Sequence, residues 1–134
     1  METECRRNIK ELHVFIESWL KGLVEKSRLE FQYFEDALDK DFIIIHPSGK
    51  LQTKPDITSD LWEVYGVRPK SFTITIRDIK IRSISENICI LNYEEWQTGV
   101  EELARISTVI FRKPANSSKN YWFHLHETWV PGFM

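Results

Sequence analysis

Read from the amino terminus, apolar residues first recur at helical spacing. Ile9, Leu12, Ile16, Trp19, Leu20 and Leu23 fall three and four apart, with Lys10, Glu11, Glu17 and Lys21 between them. Such steps bring side chains to one face of an α-helix, so the pattern predicts an amphipathic helix ending near Lys26. Phe31, Phe34 and Leu38 predict a second, shorter helix. The period then changes. Phe42-Ile43-Ile44-Ile45-His46 is a β-branched run that predicts a buried strand, and Pro47-Ser48-Gly49-Lys50 stops it. A short return strand is expected around Leu51. Thr53-Lys54-Pro55-Asp56 predicts a third helix, because proline suits the first helical turn. That helix carries Ile57, Leu61, Trp62 and Tyr65, and Gly66 is placed to cap its end.

From Phe72 onward the pattern is that of strands. Phe72, Ile74 and Ile76 alternate with Thr73, Thr75 and Arg77, and then Ile79 and Ile81 resume on the opposite parity. A one-residue slip reverses the faces of a strand unless a bulge absorbs it, so a bulge and a bend are expected near Arg77-Asp78. Further strands are predicted at 88–97, 104–113 and 121–129. Turns at Ser85-Glu86-Asn87 and Thr98-Gly99-Val100-Glu101 and a polar loop at 114–119 separate them. The order is α-α-β-β-α-β-β-β-β. Helices segregated from an antiparallel sheet define the α+β class, and a single domain over residues 1–134 is expected.

Composition narrows the function classes. Aromatic residues reach 13%, with five Trp and eight Phe, which suggests a core or pocket built from large flat side chains. Net charge is −2 and no basic block appears; the cations within 77–82 alternate with Asp78, Ile79 and Ile81 as on the wet face of a strand. Nucleic acid is therefore not an expected partner. Cys5 and Cys89 form neither a disulfide framework nor a zinc spacing, and a reduced, cytoplasmic setting is the simplest expectation. Residues 1–10 carry no apolar signal segment, and no apolar run approaches the ~18 residues of a membrane span, so no membrane association is expected. Neither Gly-x-Ser-x-Gly nor a phosphate-cradling glycine loop is present, and no cofactor is expected.

The last strand carries Trp122-Phe123-His124-Leu125-His126-Glu127-Thr128. With Ile88-Cys89-Ile90-Leu91-Asn92-Tyr93 and Ser107-Thr108-Val109-Ile110-Phe111-Arg112, and with this order of elements, the chain resembles the nuclear transport factor 2-like superfamily. It is similar to the SnoaL-like and ketosteroid-isomerase-like small proteins and to the association domain of calcium/calmodulin-dependent kinase II. The resemblance implies a cone: a strongly curved antiparallel sheet packed on three N-terminal helices, with a ligand pocket inside, as in cystatin-like α+β proteins. It implies that Trp122, His124, His126 and Thr128 line that pocket, together with Asn92, Glu94 and Trp96, and with Ile106, Thr108 and Ile110, from the neighbouring strands. His46 ends the first strand and could reach the same space, and Trp62 and Tyr65 come from the helix that closes the mouth in relatives. The opposite face, with Phe123, Leu125 and Trp129, is expected to pack on a second copy in a homodimer, since a sheet apolar on both sides needs a cover for the second. Coverage of that face by the chain's own loops and helices stays open as the alternative.

Two imidazoles, a carboxylate and a hydroxyl facing one cavity could do general acid–base work. Glu94 would be the base and His124 or His126 the donor that polarises a carbonyl. The same histidines could instead only hydrogen-bond within the sheet. His124-x-His126 with Glu94 or His46 has donor types that suit zinc or iron, but no further Cys or His cluster supports them, and no metal is expected. Two functions stay open: a small-molecule pocket protein that binds, isomerises or cyclises an apolar or aromatic carbonyl compound, and a non-catalytic association module that oligomerises through its sheet.

Overall fold

A computed structural model describes residues 1–134. Three helices and six strands follow the expected order: α1 (Glu2–Leu20), α2 (Arg28–Ala37), β1 (Leu38–Ile45), β2 (Leu51–Thr53), α3 (Lys54–Glu63), β3 (Thr73–Ile84), β4 (Ile88–Thr98), β5 (Leu103–Arg112) and β6 (Tyr121–Trp129). α1 ends earlier than the expected Lys26. Gly22 takes a φ of 69°, its N–H donates to the Trp19 carbonyl, and the Leu23 N–H reaches back to Ser18. This left-handed stop satisfies the last helical carbonyls and leaves Leu23 exposed. Ser27 caps α2 by accepting from the Glu30 N–H at 3.2 Å. Thr53 and Asp56 form a reciprocal capping box at the start of α3.

The sheet runs β2-β1-β6-β5-β4-β3 and does not close. β1 lies parallel to β6 while the other pairs are antiparallel, so the sheet is mixed where a wholly antiparallel one was expected. The predicted bulge is present: β3 shifts register between Arg77 and Lys80, where Asp78 takes a φ of 55°. β3 shifts again between Ile81 and Ser83, and a further bulge lies in β6. Phe111 faces Trp122 but the next β5 residue, Ile110, faces His124, which leaves Phe123 unpaired.

The register sorts the two faces. Leu91, Val109, Leu125 and Ile44 form one row across β4, β5, β6 and β1 on the concave side. The rows Tyr93–Ser107–Glu127 and Glu95–Arg105–Trp129 share that side. Asn92, Thr108, His126 and Ile45 form a convex row between them. The helices fill the concavity. Cys5, Ile9 and Leu12 of α1 share one buried core with Leu91, Val109, Phe111 and Trp122 of the sheet. Each such large side chain contributes about 1.5–3 kcal/mol by leaving water. Trp19 anchors an aromatic cluster with Phe31, Trp62 and Tyr65, and its indole N–H donates to the Leu61 carbonyl at 2.7 Å.

Candidate functional site

The concave rows and the face of α1 enclose a cavity of about 180 Å³ between the helices and the sheet. Its walls are apolar: Leu12 and Ile16 of α1, Phe34 of α2, Ile44 of β1, Leu61 of α3 and Leu125 of β6. One end is polar, and His13, Glu95, Arg105 and Glu127 meet there. Helical spacing aims His13 inward, four residues after Ile9 and four before Glu17. Strand alternation aims Glu95, Arg105 and Glu127 inward.

These groups pair with one another. His13 Nε2 lies 3.1 Å from Glu95 Oε1, and His13 Nδ1 lies 2.7 Å from the Ile9 carbonyl oxygen. Both ring nitrogens face acceptors, so only the doubly protonated imidazolium satisfies both. Burial opposes that charge, but the hydrogen bond and charge of Glu95 outweigh it, and the His13 pKa stands above its ordinary value. Burial also opposes the Glu95 carboxylate, yet His13 and then Arg105 hold its pKa down to about 2. Arg105 Nη1 donates to Glu127 Oε1 at 3.1 Å. Glu127 also accepts from the Ser107 hydroxyl at 3.4 Å. Its pKa is nonetheless raised, because burial and the nearby Glu95 charge prevail over Arg105. Glu127 is thus the carboxyl at this end most ready to take up a proton. His46 Nδ1 stands 4.0 Å from Glu127, and its other nitrogen meets Gln52 at 2.6 Å, which in turn donates to Asp60 at 2.6 Å. A chain of polar groups thereby leads from the cavity to α3.

The chain matches the family described as sucrose-6-phosphate phosphohydrolase C-terminal over residues 5–131. It belongs to that family. Among its curated relatives, sucrose-phosphatase 1 of Nicotiana tabacum is 25% identical over 133 residues, covering 92% of this chain and 30% of the relative. Probable sucrose-phosphatase 3a of Arabidopsis thaliana is 23% identical, covering 91% and 29%. The chain therefore spans about three-tenths of the length of these relatives. Among solved structures, an NTF-2 like protein of unknown function from Pseudomonas aeruginosa superposes with a TM-score of 0.86 at 26% identity, covering 95% of this chain and 98% of that one. A CamKII hub homology domain from Chlamydomonas reinhardtii gives 0.70 at 13%, covering 96% and 98%. A putative ketosteroid isomerase from Shewanella frigidimarina gives 0.68 at 16%, covering 91% and 92%. The last two show the fold alone. The nuclear transport factor 2-like architecture expected from the sequence is the architecture of this family member.

The residues expected to line its pocket divide. His46 and Trp122 do line the cavity. Glu94, His124 and His126 do not: the register sets them on the convex face, with Asn92, Trp96, Thr108, Ile110 and Thr128. There Glu94 accepts from the Trp96 indole at 2.8 Å, and Asn92 donates to Thr108 at 2.7 Å. The His124 pKa is lowered by burial and by the neighbouring His126. For the histidines the reason is the β6 bulge, which turns Trp122 inward and then Leu125 and Glu127 inward after it; β4 and β5 pair without a shift, and there the inward parity is that of Tyr93 and Glu95. Trp62 and Tyr65 belong to the aromatic cluster around Trp19. Leu125 and Trp129, expected on an outer dimer face, are also displaced: Leu125 lines the cavity, and Trp129 lies under the Arg105 guanidinium at 5.2 Å. Phe123 stays on the other side, beneath Arg112 at 4.2 Å. No group of three or more His, Cys, Asp or Glu side chains is arranged to hold a metal ion.

Proposed function

We propose that this chain is a binding module whose cone cavity takes a small, neutral, largely apolar carbonyl compound. The observation that carries this reading is the contrast within one cavity. Apolar walls from five elements close on a polar end whose cations, His13 and Arg105, balance two carboxyls, Glu95 and Glu127. Apolar walls with a few convergent polar groups are the usual make-up of a ligand site. A balanced polar end disfavours a ligand with net charge, which would stand uncompensated in the interior. The sugar phosphate named in the family description is charged and hydroxylated on every side, so it does not suit these walls. Within the cavity, Glu127 is the group suited to move a proton beside a carbonyl while Arg105 polarises it. That would be the basis of any isomerisation or cyclisation here. Cys5 and Cys89, both buried and unpaired, fit a cytoplasmic setting.

The test is a thermal-shift and native mass spectrometry screen of hydrophobic ketones and aldehydes. Ligands of the cavity should raise the melting temperature of the wild type and lose binding in Leu125→Trp, which fills the space. Binding that survives Leu125→Trp, or a panel without any binder, would overturn the reading.

A specific observation also favours an association role. The convex face carries Ile43, Ile45, Ile90 and Ile110 half-buried and Ile106 38% exposed, beside His124 and His126. An isoleucine-studded sheet face with no helix over it suits a second copy of the chain. The likeness to a CamKII hub homology domain supports the same reading.

A further inference from the structure

A pocket of about 220 Å³ opens between α1, α2 and the start of β6, and it shares only Trp122 with the cone cavity. Helical spacing builds two of its walls. Asn8 and Glu11 stand three apart on α1, and Tyr33, Asp36 and Ala37 share one face of α2. Asn120, just before β6, and Trp122 within it are each only 2% exposed and form the floor. Glu11, Tyr33 and Asp36 are exposed and form the mouth.

The floor carries one donor and one acceptor that the fold does not use. The Trp122 indole N–H and the Asn120 Oδ1 are both buried, and neither makes a hydrogen bond. Asn120 and Trp122 stand two apart in an extended segment, so they project to the same side. Buried polar atoms ordinarily have a partner, and this floor suits a ligand that brings a donor and an acceptor close together. The mouth is acidic. Asp36 takes part in no ion pair, and Glu11 meets only the exposed Arg7, at 3.8 Å. A third carboxylate stands behind the floor, where Glu4 Oε1 accepts from the Asn120 N–H at 3.5 Å. The one cation in the lining, Lys119, is committed to the Asp36 backbone carbonyl at 3.0 Å and to the Tyr121 ring at 5.0 Å. Two carboxylates against one ammonium leave the lining negative, which favours a cation. Burial and then the Glu11 charge raise the Tyr33 pKa, as expected of a phenol near that carboxylate, and its ring offers a face to a cation.

We propose that this pocket binds a small primary amine with a hydroxyl on the adjacent carbon, an amino alcohol in chemical class. The ammonium lies between Glu11 and Asp36 and donates to Asn120 Oδ1, and the hydroxyl oxygen accepts from the Trp122 indole. A primary ammonium has three N–H donors, one for each of these acceptors. A bare metal cation would suit the carboxylates but offers no acceptor to the indole. A carboxylic acid would offer the acceptor but meets the mouth with like charge. The inference concerns a second site and does not depend on the ligand assigned to the cone cavity.

The experiment follows the indole N–H cross-peaks of the five tryptophans by proton–nitrogen NMR on the full chain, with the Trp122 peak identified by its loss in Trp122→Phe. The probes are ethanolamine, ethylamine and choline at neutral pH and constant ionic strength, each titrated to about 50 mM because ligands of a few atoms bind weakly. Ethanolamine should move the Trp122 peak along a saturable curve. Ethylamine, without the oxygen, and choline, without N–H donors, should bind about fivefold more weakly or not at all. The Glu11→Gln/Asp36→Asn variant changes two exposed side chains, so it should keep its melting temperature and weaken ethanolamine by about fivefold or more. Leu125→Trp should bind ethanolamine as the wild type does. A Trp122 peak unmoved by ethanolamine, or affinity undiminished in Glu11→Gln/Asp36→Asn, would refute the site. Ethylamine or choline binding as tightly as ethanolamine would refute the amino alcohol and leave only an acidic patch. Loss of binding in Leu125→Trp would place the amine in the cone cavity instead.

Discussion

His13 of α1 and Glu95 of β4, 82 positions apart, are joined by a buried 3.1 Å hydrogen bond between ions. His13 also packs edge-on against Tyr93, with ring centroids 5.6 Å apart. The pair therefore ties the first helix to the centre of the sheet. Removing one partner leaves the other charged and unpaired in the interior, which costs about 3–5 kcal/mol in comparable buried pairs. Glu95→Ala and His13→Ala should each destabilise the chain on that scale in urea unfolding. The double variant should lose clearly less than the sum of the two, because the groups in contact are coupled. Additive losses would mean that the two side chains act independently.

The same network sets a pH dependence. His13 holds its proton more tightly folded than unfolded, since its pKa is raised above 6.5. Its contribution is complete below that value and is lost as pH rises through the higher folded value. Glu127, raised above 4.5, acts in the same direction from a lower starting pH. Glu95 acts oppositely: its contribution is present above 4.5 and is lost as pH falls toward about 2. The melting temperature should therefore decline as pH rises above 6.5, and His13→Gln should flatten that decline. A wild-type melting temperature that stays level or climbs from pH 6.5 to 9 would contradict the charged state assigned to His13.

The bulge at Phe123 decides which substitution separates an oligomer from a misfolded chain. Leu125 is 7% exposed and lines the cavity, so Leu125→Glu should unfold the protein rather than divide a dimer. Ile110 lies on the convex face opposite His124. Ile110→Glu should leave the circular dichroism spectrum intact and lower the mass seen by light scattering to that of one chain. A wild-type chain that is already monomeric at micromolar concentration would remove the association reading.

The bulges at Asp78 and Phe123 show why the fold was more legible than the site. In β3 the slip from Ile76 to Ile79 stands out against threonines and charges, so hydropathy alone reveals it. In β6 the same slip runs from Trp122 to Leu125, and both parities carry aromatic or imidazole rings. If Phe123 is set aside, Trp122, Leu125 and Glu127 alternate regularly with His124, His126 and Thr128. Nothing in hydropathy marks Phe123 as the extra residue, and the buried polar Glu127 disguises the inward parity further. β4 is equally ambiguous, because residues 88–91 are apolar on both faces and do not distinguish Glu94 from Glu95. His13 did leave a signal, since it stands four residues after Ile9 and three before Ile16, within the buried stripe of α1. A titratable ring on an apolar stripe has to find a buried partner, and Glu95 is that partner.

Gly99 closes the β4–β5 turn with a φ of 93°. A Cβ there would stand 1.7 Å from the Ser71 carbonyl oxygen, which belongs to backbone and has no flexible end to move aside. The Ser71 hydroxyl also donates to the Gly99 carbonyl at 3.0 Å, so the two segments are locked at close range. Gly99→Ala therefore combines a left-handed conformation that alanine resists, a strain of about 1–3 kcal/mol, with a clash that the segment before β3 has to relieve by shifting. The loss should exceed that of Gly49→Ala, whose Cβ meets nothing within 4 Å although its φ is 89°. Both variants carry similar backbone strain, so the difference in their urea midpoints measures the close approach itself. Equal losses at the two positions would show that the Ser71 segment yields freely.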